Sequence, residues 1–399
     1  MAKKILMFGW EFPPHNSGGL GVACYGLAKA LSKTGTKITF VLPRKLKDIE
    51  SEFLRIVDPG VNYMDTYVFD SPLSPYLTNK SYESIFFSPG MSYGKNLFEE
   101  VLRYASFGEV VGKKEDFDII HAHDWLSFGA GVRAKMVSGK PLVAHVHATE
   151  FDRGGGCGIN SLVYKMEKEG MEAADKVVAV SNFTKNIIIQ HYGISADKIE
   201  VVHNGIDFNP RETVSENVHK IKEAGKKIVL FVGRLTLQKG PDYFIRAAKK
   251  VCDFDPDVFF IISGSGDMER WLMKEVARMG VSHRVLFTGF LRGDELKSAY
   301  KSADLFVMPS VSEPFGITPL ESLMNDTPVI ISNQSGVSEV VKHALKVDFW
   351  DIDEMANKIL STLNYTSLHS CLKEHGRVEV EGIHWGKSAE KCVKIYNEL

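Results

Sequence analysis

The chain has 399 residues, a hydrophobic fraction of 44% and a charged fraction of 25%. That length exceeds one ordinary domain and suits two, and the composition is that of a globular protein. Lys and Arg total 48 against 50 Asp and Glu, a net charge of -2, which gives no support to nucleic acid or an anionic membrane as the main partner.

Short apolar, β-branched runs recur along the chain with helix-length segments between them. The first half carries such runs at 5–8, 38–42, 117–121, 142–147, 177–180 and 199–202, and the second half at 228–232, 258–262, 285–288, 305–308, 329–331 and near Val347. The runs are continuous rather than alternating, which is typical of parallel strands buried on both faces. Strand and helix alternating throughout predict an α/β architecture.

A polar stretch at about 207–227 separates the two series of runs and is interpreted as a linker with a short helix. We therefore expect an N-terminal domain at 1–205 and a second domain at 206–380. Two open sheets in one chain make a cleft between domains a natural site.

The segment at 47–114 is less regular and rich in Tyr, Phe, Ser and Pro. It is interpreted as an insertion that packs on its own domain, or alternatively as a surface that contacts an acceptor.

The first predicted strand is followed by a glycine-rich turn that includes Gly18 and Gly19. A helix should follow, with Leu20, Cys24, Leu27 and Leu31 on one face and Gly35 at its end. Glycines between a strand and a helix let the backbone approach a ligand, and the helix N-terminus offers N–H groups to a phosphate.

Two cations follow the first strand of the second series. Arg234 and Lys239 lie in the segment FVGRLTLQKG, at the carboxyl end of a predicted buried strand. Ligands bind at that edge of open α/β sheets. The two side chains could neutralise a diphosphate leaving group, or could be solvated surface charges.

The segment EPFGITPLE, residues 313–321, offers a carboxylate, a run of amides and a second carboxylate. Thr318 and Pro319 resemble an N-cap and a first helical residue. The amides of Gly316, Ile317 and Thr318 suit a phosphate. Glu313 and Glu321 would repel a phosphate and should contact the hydroxyls of a sugar and a ribose instead, although Glu321 would also suit a helix N-terminus.

These motifs together resemble the retaining glycosyltransferases of the GT-B fold, the group that includes glycogen and starch synthases. The resemblance covers nearly the whole chain through SGGLG, HAHDW, HVHATE, VVHNGID, FVGRLTLQKG, ISGSGD and the pair of glutamates spaced E-x7-E. It implies two Rossmann-like doubly wound domains with an interdomain cleft. It also implies a C-terminal helix, within 381–399, that crosses back to the first domain.

The resemblance also implies roles for individual residues. Arg234 and Lys239 would bind the donor diphosphate, Glu313 the hydroxyls of the transferred sugar, and His147 the sugar near its reacting carbon. The remaining donor-binding residues would surround the phosphates, base and ribose; they are Gly18, Gly19, Leu20, Gly264, Gly266, Leu291, Gly316, Ile317, Thr318 and Glu321.

The family is expected to retain anomeric configuration and to need no cofactor and no metal. The substrate would be a nucleotide sugar such as ADP-glucose or UDP-glucose. Glycogen synthases usually carry Lys-x-Gly-Gly-Leu, and Asn16 stands where that lysine would be. Transfer of glucose to an α-glucan is the first choice, and transfer to a sugar phosphate, small glycoside or lipid-linked sugar is the alternative.

Other function classes account for fewer of these residues. The pairs His121/His123 and His145/His147 could be metal ligands of a hydrolase, but the donor-site motifs would then be unexplained. A nucleotide-sugar epimerase would need a dedicated acid and base, and a silent binding protein would not need the full set of polar residues.

Cysteine usage and hydropathy indicate the compartment. The five cysteines are scattered without CxxC spacing, which fits free thiols in a reducing compartment. The N-terminus lacks the features of a signal peptide, and no run approaches the roughly 20 apolar residues of a membrane span. We expect a cytoplasmic protein. Cys157, in a run of glycines, is interpreted as part of a flexible loop.

Overall fold

A computed structural model describes residues 3–11, 19–44, 53–57, 64–73, 82, 95–155, 158–207 and 225–399. The chain divides into two compact units. The N-terminal unit comprises Met1–Glu150, Ile159–Gly205 and Trp385–Leu399, and the C-terminal unit comprises Phe151–Gly158 and Ile206–His384. The predicted linker falls almost entirely within 208–224, outside the described residues.

The N-terminal unit is built on one eight-stranded sheet in the order β3-β4-β2-β1-β5-β6-β7-β8. All neighbours pair in parallel except β3, which runs antiparallel to β4. Its strands are β1 (Lys4–Phe8), β2 (Lys37–Arg44), β3 (Phe53–Val57), β4 (Met64–Asp70), β5 (Ile119–His123), β6 (Leu142–Val146), β7 (Lys176–Ala179) and β8 (Ile199–Val201). Strands β5 and β6 are buried along their whole length, as continuous apolar runs predict.

Helices connect these strands and cover the sheet. They are α1 (Gly19–Lys33), α2 (Leu97–Lys114), α3 (Trp125–Ser138), α5 (Ser161–Ala173) and α6 (Asn182–Ile187), whereas the short helix α4 (Glu150–Arg153) belongs from Phe151 onward to the C-terminal unit. The predicted face of α1 is confirmed, since its four apolar residues are all buried. Gly35 follows the helix at φ 87°, a left-handed conformation that glycine adopts without strain.

The C-terminal helix belongs to the N-terminal unit. This helix, Trp385–Glu398, packs against α1, and a Cβ on Gly26 would lie 2.3 Å from the indole of Trp385. Only glycine leaves room there for the indole.

The segment at 47–114 is more regular than the sequence suggested. It contributes two sheet strands, β3 and β4, and the 18-residue helix α2. The prediction that this segment packs on its own domain is therefore confirmed for its described part, and only the expected lack of regular structure is wrong there. The hydroxyl of Tyr104 on α2 lies 2.8 Å from the carbonyl oxygen of Gly9 and 2.9 Å from that of Val41 and shares its one hydrogen between them, which fixes the helix against the end of β1 and the middle of β2.

The C-terminal unit contains a six-stranded parallel sheet in the order β11-β10-β9-β12-β13-β14. Its strands are β9 (Lys227–Val232), β10 (Val258–Ser263), β11 (Val285–Gly289), β12 (Leu305–Met308), β13 (Val329–Ser332) and β14 (Leu345–Val347). Its helices are α7 (Pro241–Phe254), α8 (Glu269–Arg278), α9 (Gly293–Ser302), α10 (Thr318–Met324), α11 (Ile352–Asn364) and α12 (Thr366–Glu381), and the helix Trp385–Glu398 described above is α13.

Each apolar run singled out in the sequence overlaps one of these strands. The run at 117–121 is displaced, because the strand begins at Ile119 and continues to His123. The predicted start of α10 is also displaced by one residue. Ile317 is the N-cap, Thr318 is the first helical residue, and no side chain caps the helix. Among the described residues no helix is both long and apolar enough to span a membrane.

Candidate active site

Two charged side chains of the C-terminal unit form a close ion pair. Lys239 follows β9 at the end of a short 3-10 helix, and Glu313 follows β12. The Nζ atom of Lys239 lies 2.6 Å from Oε2 of Glu313, and both side chains are largely buried. Ser310 Oγ donates a 3.0 Å hydrogen bond to the same carboxylate oxygen. The sheet order places β9 beside β12, so their carboxyl ends bring these residues together.

The loop that carries Glu313 is held on both sides by backbone hydrogen bonds. Gln238 accepts from the N–H of Val311 through its carbonyl and donates to the carbonyl of Ser312 through its side chain. On the other side, Glu313 N–H donates to the carbonyl of Gln334, and its own carbonyl accepts from Gly336 N–H. The carboxylate is thus presented by a rigid backbone.

Two glycines allow these loops to approach one another. A Cβ on Gly240 would lie 2.1 Å from the carbonyl oxygen of Pro309. Gly316 has φ 104°, and a Cβ there would lie 3.2 Å from Glu313 Cγ. A side chain at Gly240 would collide with the Pro309 carbonyl, and one at Gly316 would crowd the side chain of Glu313; both positions also have positive φ, which favours glycine.

The other predicted donor-site residues of this unit surround the ends of β9, β10 and β11. Arg234 donates to the side-chain oxygen of Gln238. Gly264 and Gly266 pack on the loop after β9, since a Cβ on Gly264 would lie 1.8 Å from the carbonyl oxygen of Gly233. Close backbone packing therefore accounts for these two glycines. Leu291 is half-buried between β11 and α9.

Glu321, in the first turn of α10, has a partner that the sequence did not indicate. Tyr300 on α9 donates a 2.9 Å hydrogen bond from its hydroxyl to Glu321 Oε2. Burial raises the pKa of Glu321, and the hydrogen bond from Tyr300 acts in the opposite direction. Ile317 and Thr318 precede Glu321 and are half-buried.

Asp152 is a second residue that sequence reasoning missed. Its carboxylate is fully buried and accepts a 2.5 Å hydrogen bond from Ser312 Oγ. The segment Phe151–Gly158 belongs to the C-terminal unit with Ser312. This contact fixes one end of the glycine-rich segment that follows it. Cys157 itself lies outside the described residues.

Four histidines form a stack in the N-terminal unit. His121 and His123 share one face of β5, while His145 lies on β6 and His147 directly follows that strand. The ring centroids of His121 and His123 are 4.5 Å apart, and those of His145 and His147 are 4.2 Å apart.

Hydrogen bonds connect the histidine stack to α13 and across the two strands. His121 Nδ1 lies 2.5 Å from the hydroxyl of Tyr396, and its Nε2 lies 3.1 Å from His145 Nδ1. His123 Nδ1 lies 2.9 Å from His147 Nε2. Three further ring nitrogens are buried without a hydrogen-bond partner: His123 Nε2, His145 Nε2 and His147 Nδ1.

All four imidazoles are neutral at neutral pH because burial disfavours their charged forms. Burial lowers the pKa of His123 to about 3. Burial, with neighbouring rings as a smaller cause, lowers the pKa values of the other three well below 6.5. Neutral imidazole is also the form that ligates metals, and two sets have ligand atoms within 4.8 Å of one another: His121, His123 and His145, and Cys24, His123 and His147.

The remaining predicted residues of the N-terminal unit lie at the start of α1. Gly19 is exposed and Leu20 is buried, whereas Gly18 lies outside the described residues. Glu11, three residues after the end of β1, was not singled out from the sequence. It is buried, and Oε2 accepts a 3.2 Å hydrogen bond from Gly21 N–H in the first turn of α1.

This combination of doubly wound sheets and strand-end polar loops defines a glycosyltransferase of the GT-B fold. The family described as Glycosyl transferases group 1 matches residues 214–378, and that described as Glycosyltransferase Family 4 matches residues 17–209. An uncharacterized glycosyltransferase of Methanocaldococcus jannaschii is 30% identical over 408 residues, covering 98% of this chain and 97% of that protein. The chain therefore belongs to the group 1 glycosyltransferases.

Two further comparisons describe its relatives. A glycogen synthase of Mycobacterium tuberculosis is 27% identical over 343 residues, covering 85% of this chain and 80% of that protein. The structure of a sucrose-phosphate synthase from Thermosynechococcus elongatus superimposes with a TM-score of 0.79 at 20% identity, covering 99% and 98% of the two chains. The second comparison supports the fold.

Proposed function

We propose that this glycosyltransferase moves a hexose, with glucose as the first choice, from a nucleoside diphosphate sugar to a carbohydrate acceptor with retention of configuration. The observation that carries the proposal is the pair of Lys239 and Glu313, 2.6 Å apart at the carboxyl edge of the sheet. Lys239 offers a cation to a phosphate, and Glu313 offers a carboxylate that accepts hydrogen bonds from sugar hydroxyls. The pair therefore matches a nucleotide sugar, in which a phosphate is joined to a sugar.

Each group at this edge has a task in that reaction. Glu313 accepts hydrogen bonds from hydroxyls of the transferred sugar, and Ser310 holds the carboxylate in place. Lys239 and Arg234 neutralise the charge that grows on the diphosphate as the bond to the sugar breaks. Their fixed charges perform the task that a metal ion has in other transferases, so we propose that no metal or cofactor takes part.

The proposed bond changes occur on one face of the sugar. The bond between the anomeric carbon and the diphosphate oxygen breaks, and the acceptor hydroxyl oxygen bonds to that carbon from the same side. The acceptor proton passes to the departing diphosphate oxygen. In this scheme His147 contacts the sugar near the anomeric carbon.

The ribose and phosphates have their own proposed contacts. Glu321 accepts hydrogen bonds from ribose hydroxyls, and the amides of Gly316, Ile317 and Thr318 face sugar and phosphate. Gly19 and Leu20 contribute to the phosphate site from the start of α1, where helix N–H groups favour anions, and Gly18, which precedes them in the sequence, is assigned to the same site. Leu291 and the loop of Gly264 and Gly266 pack near base and ribose.

An α-glucan is the first-choice acceptor, and its support is the glycogen synthase relative. Transfer to a sugar phosphate is the alternative, with the fold of sucrose-phosphate synthase as its support. Small glycosides and lipid-linked sugars complete the alternatives.

We place the reaction in the cytoplasm, because the described cysteines, Cys24, Cys252, Cys371 and Cys392, are all free thiols.

A thermal-shift panel tests the donor. ADP-glucose, UDP-glucose, GDP-mannose and UDP-N-acetylglucosamine are each added, because a ligand that binds only the folded state raises its stability. One glucose donor should shift the unfolding temperature of the wild type and shift that of Lys239→Met much less. The donor is then incubated with glycogen or with glucose 6-phosphate to identify the product. Absence of a shift with every sugar nucleotide would contradict the proposal.

A further inference from the structure

Three aromatic side chains lie side by side at the surface of the C-terminal unit. Trp350 is 56% exposed, and its ring centroid lies 4.8 Å from that of Phe349. The Phe349 centroid lies 5.0 Å from that of Tyr243, and both of these rings are half-buried. We propose that this aromatic platform, Tyr243, Phe349 and Trp350, binds one sugar unit of a chain acceptor by stacking on the exposed indole. The choice of an α-glucan as that chain rests on the proposed function.

The aromatic platform lies at the edge of the sheet where ligands bind. Phe349 and Trp350 follow the carboxyl end of β14. Tyr243 lies in the first turn of α7, and its N–H donates to the carbonyl of Gly240, the neighbour of Lys239. Ligands of open α/β sheets bind at this carboxyl edge. A single exposed aromatic ring is common on protein surfaces, but three rings in contact at this edge indicate a binding site.

Hydrogen bonds connect the aromatic platform to the loop of Glu313. The carbonyl of Gln334 accepts a 2.9 Å hydrogen bond from Glu313 N–H. The side chain of Gln334 donates a 2.8 Å hydrogen bond to Asp348 Oδ1, and Asp348 directly precedes Phe349 in the chain. The platform is therefore continuous with the ion pair at which we place the reaction.

The turn that carries Trp350 is fixed by its own hydrogen bonds. Asp351 N–H donates to the carbonyl of Asp348, and Ile352 N–H donates to that of Trp350. Asp351 also caps α11, since its side chain accepts a 2.9 Å hydrogen bond from Glu354 N–H. The backbone below the indole is therefore ordered before a ligand binds, which lowers the entropy cost of binding.

The chemistry of this surface matches a pyranose ring. The faces of glucopyranose expose C–H groups, which are attracted to the negative face of an indole, while its rim carries hydroxyls. Exposed charged groups beside the rings can bind those hydroxyls. The Arg246 guanidinium lies 5.7 Å from the Tyr243 centroid, and Lys250 pairs with Asp353 at 2.5 Å. Charges of both signs around one exposed ring suit a polar, uncharged ligand, whereas the core of a protein interface is depleted of charge.

The position of the aromatic platform favours a chain over a single sugar. Gln334 and Asp348 lie between the platform and Glu313, so a sugar stacked on Trp350 is not the unit that reacts. A chain acceptor reaches both places, whereas a sugar phosphate reaches only one. Because linked contacts at two places strengthen binding, the platform favours an α-glucan over the alternative acceptors.

Titration of the full chain with maltoheptaose, without any donor, tests the inference directly. Calorimetry gives the Kd, and tryptophan fluorescence reports stacking on the indole. We expect Trp350→Ala to raise the Kd at least about 10-fold and to lose the fluorescence change, since an aromatic anchor is removed. Trp350→Phe keeps a stacking surface and should stay within about 3-fold of the wild type. An unchanged Kd in Trp350→Ala, or no binding by the wild type, would overturn the inference.

Tyr365→Ala is the matched control. Tyr365 is 66% exposed and directly follows α11, whose 13 residues span about 20 Å from the end near Trp350. Its neighbour Asn364 accepts a hydrogen bond from Lys227, the first residue of β9, so this end of α11 lies at the opposite edge of the sheet. The control should leave the Kd for maltoheptaose unchanged. Equal losses in Tyr365→Ala and Trp350→Ala would overturn the assignment to the platform.

Acceptors of different length extend the test to turnover. In Trp350→Ala the KM for maltoheptaose should rise about 10-fold with kcat nearly unchanged, and the KM for maltose should stay as in the wild type. An equal rise for both acceptors would overturn the inference. Dimers of the wild type that Trp350→Ala dissociates, without glucan binding, would also overturn it, because the platform would then be an interface between copies.

The thermal-shift panel distinguishes failure of this inference from failure of the proposed function. A shift with a sugar nucleotide but no binding of maltoheptaose would overturn the inference and leave sugar transfer to another acceptor intact. Binding of maltoheptaose at Trp350 without a shift from any sugar nucleotide would contradict the proposed function and support the platform as a glucan-binding site.

Discussion

Lys239 and Glu313 are 74 positions apart in the chain, yet their charged atoms lie 2.6 Å apart between two neighbouring strand ends. A largely buried carboxylate needs compensation, and the ammonium of Lys239 provides it. The ion pair therefore keeps both side chains in place before the sugar donor binds. In the proposed complex, Lys239 would also contact the donor phosphate and Glu313 the sugar hydroxyls.

Replacing Lys239 by Met tests its task at the diphosphate. Met has a similar shape without the charge, so we expect kcat to fall about 100- to 1000-fold, the usual loss for one preorganised group at a developing charge. Lys226→Met is the control, because it removes an exposed 2.6 Å ion pair with Asp257 and should leave turnover unchanged. Wild-type turnover in Lys239→Met, with sugar transfer measured directly, would refute its role.

Ser310 should act through Glu313. Ser310→Ala removes the 3.0 Å hydrogen bond to Glu313 Oε2, and loss of one such bond corresponds to about 1 kcal/mol, or roughly 5-fold in kcat. Ser322→Ala removes another fully buried hydroxyl of the same unit, one that donates to the carbonyl of Thr327. That control should lower the unfolding temperature without changing kcat. The same kinetic loss in both variants would mean that the effect of Ser310 is structural.

Tyr300→Phe should weaken donor binding rather than chemistry. The phenol lowers the pKa of Glu321 while burial raises it, so loss of the phenol moves the pKa of Glu321 further upward. Glu321 accepts ribose hydroxyls only as a carboxylate. The donor KM should therefore rise about 5-fold with kcat nearly unchanged. As the pH is lowered, protonation of Glu321 should raise the donor KM. This rise should begin at a higher pH in Tyr300→Phe than in the wild type. A fall in kcat at unchanged KM would contradict the role of Glu321 at the ribose.

Continuous apolar runs were enough to locate twelve of the fourteen strands found in the described residues, because strands of a parallel sheet are buried on both faces. Strands β3 and β4 were missed. They form one edge of the sheet, and the sequence of β4, MDTYVFD, mixes polar and apolar residues. The start of helix α2 is indicated in the sequence by Asn96 and Glu99, three residues apart. In the structure Asn96 is the N-cap and its side chain accepts a hydrogen bond from Glu99 N–H.

For the candidate site, the sequence could indicate individual loops but not the contacts between them. Strand ends are where ligands bind in these sheets, and so the loops of Arg234, Lys239 and Glu313 could be chosen from sequence. The partners of the carboxylates could not. Tyr300 is an ordinary helical residue in the sequence, and Asp152 meets Ser312 across 160 positions. Such contacts depend on how separate elements pack, which no local pattern encodes.

The buried histidines should make the protein sensitive to acid. Burial lowers the pKa of His145 well below 6.5, the value expected in an unfolded chain. Below pH 6.5 the unfolded state therefore binds a proton that the folded state excludes, and stability falls as pH falls. Above pH 6.5 both states are neutral, and the difference vanishes. Each such histidine contributes a slope of about 1.4 kcal/mol per pH unit in the acidic range.

His145→Asn removes one of these titrating groups and should reduce that slope by about 1.4 kcal/mol per pH unit between pH 6 and pH 5, whatever its effect on stability at pH 8. Urea unfolding at pH 8, 7, 6 and 5 measures the free energy of unfolding for both proteins. The absolute stability of the variant is not the test, because the lost hydrogen bond to His121 lowers it at every pH. Parallel curves would mean that His145 takes up its proton in the folded state as readily as in the unfolded one, which its complete burial between β5 and β7 argues against.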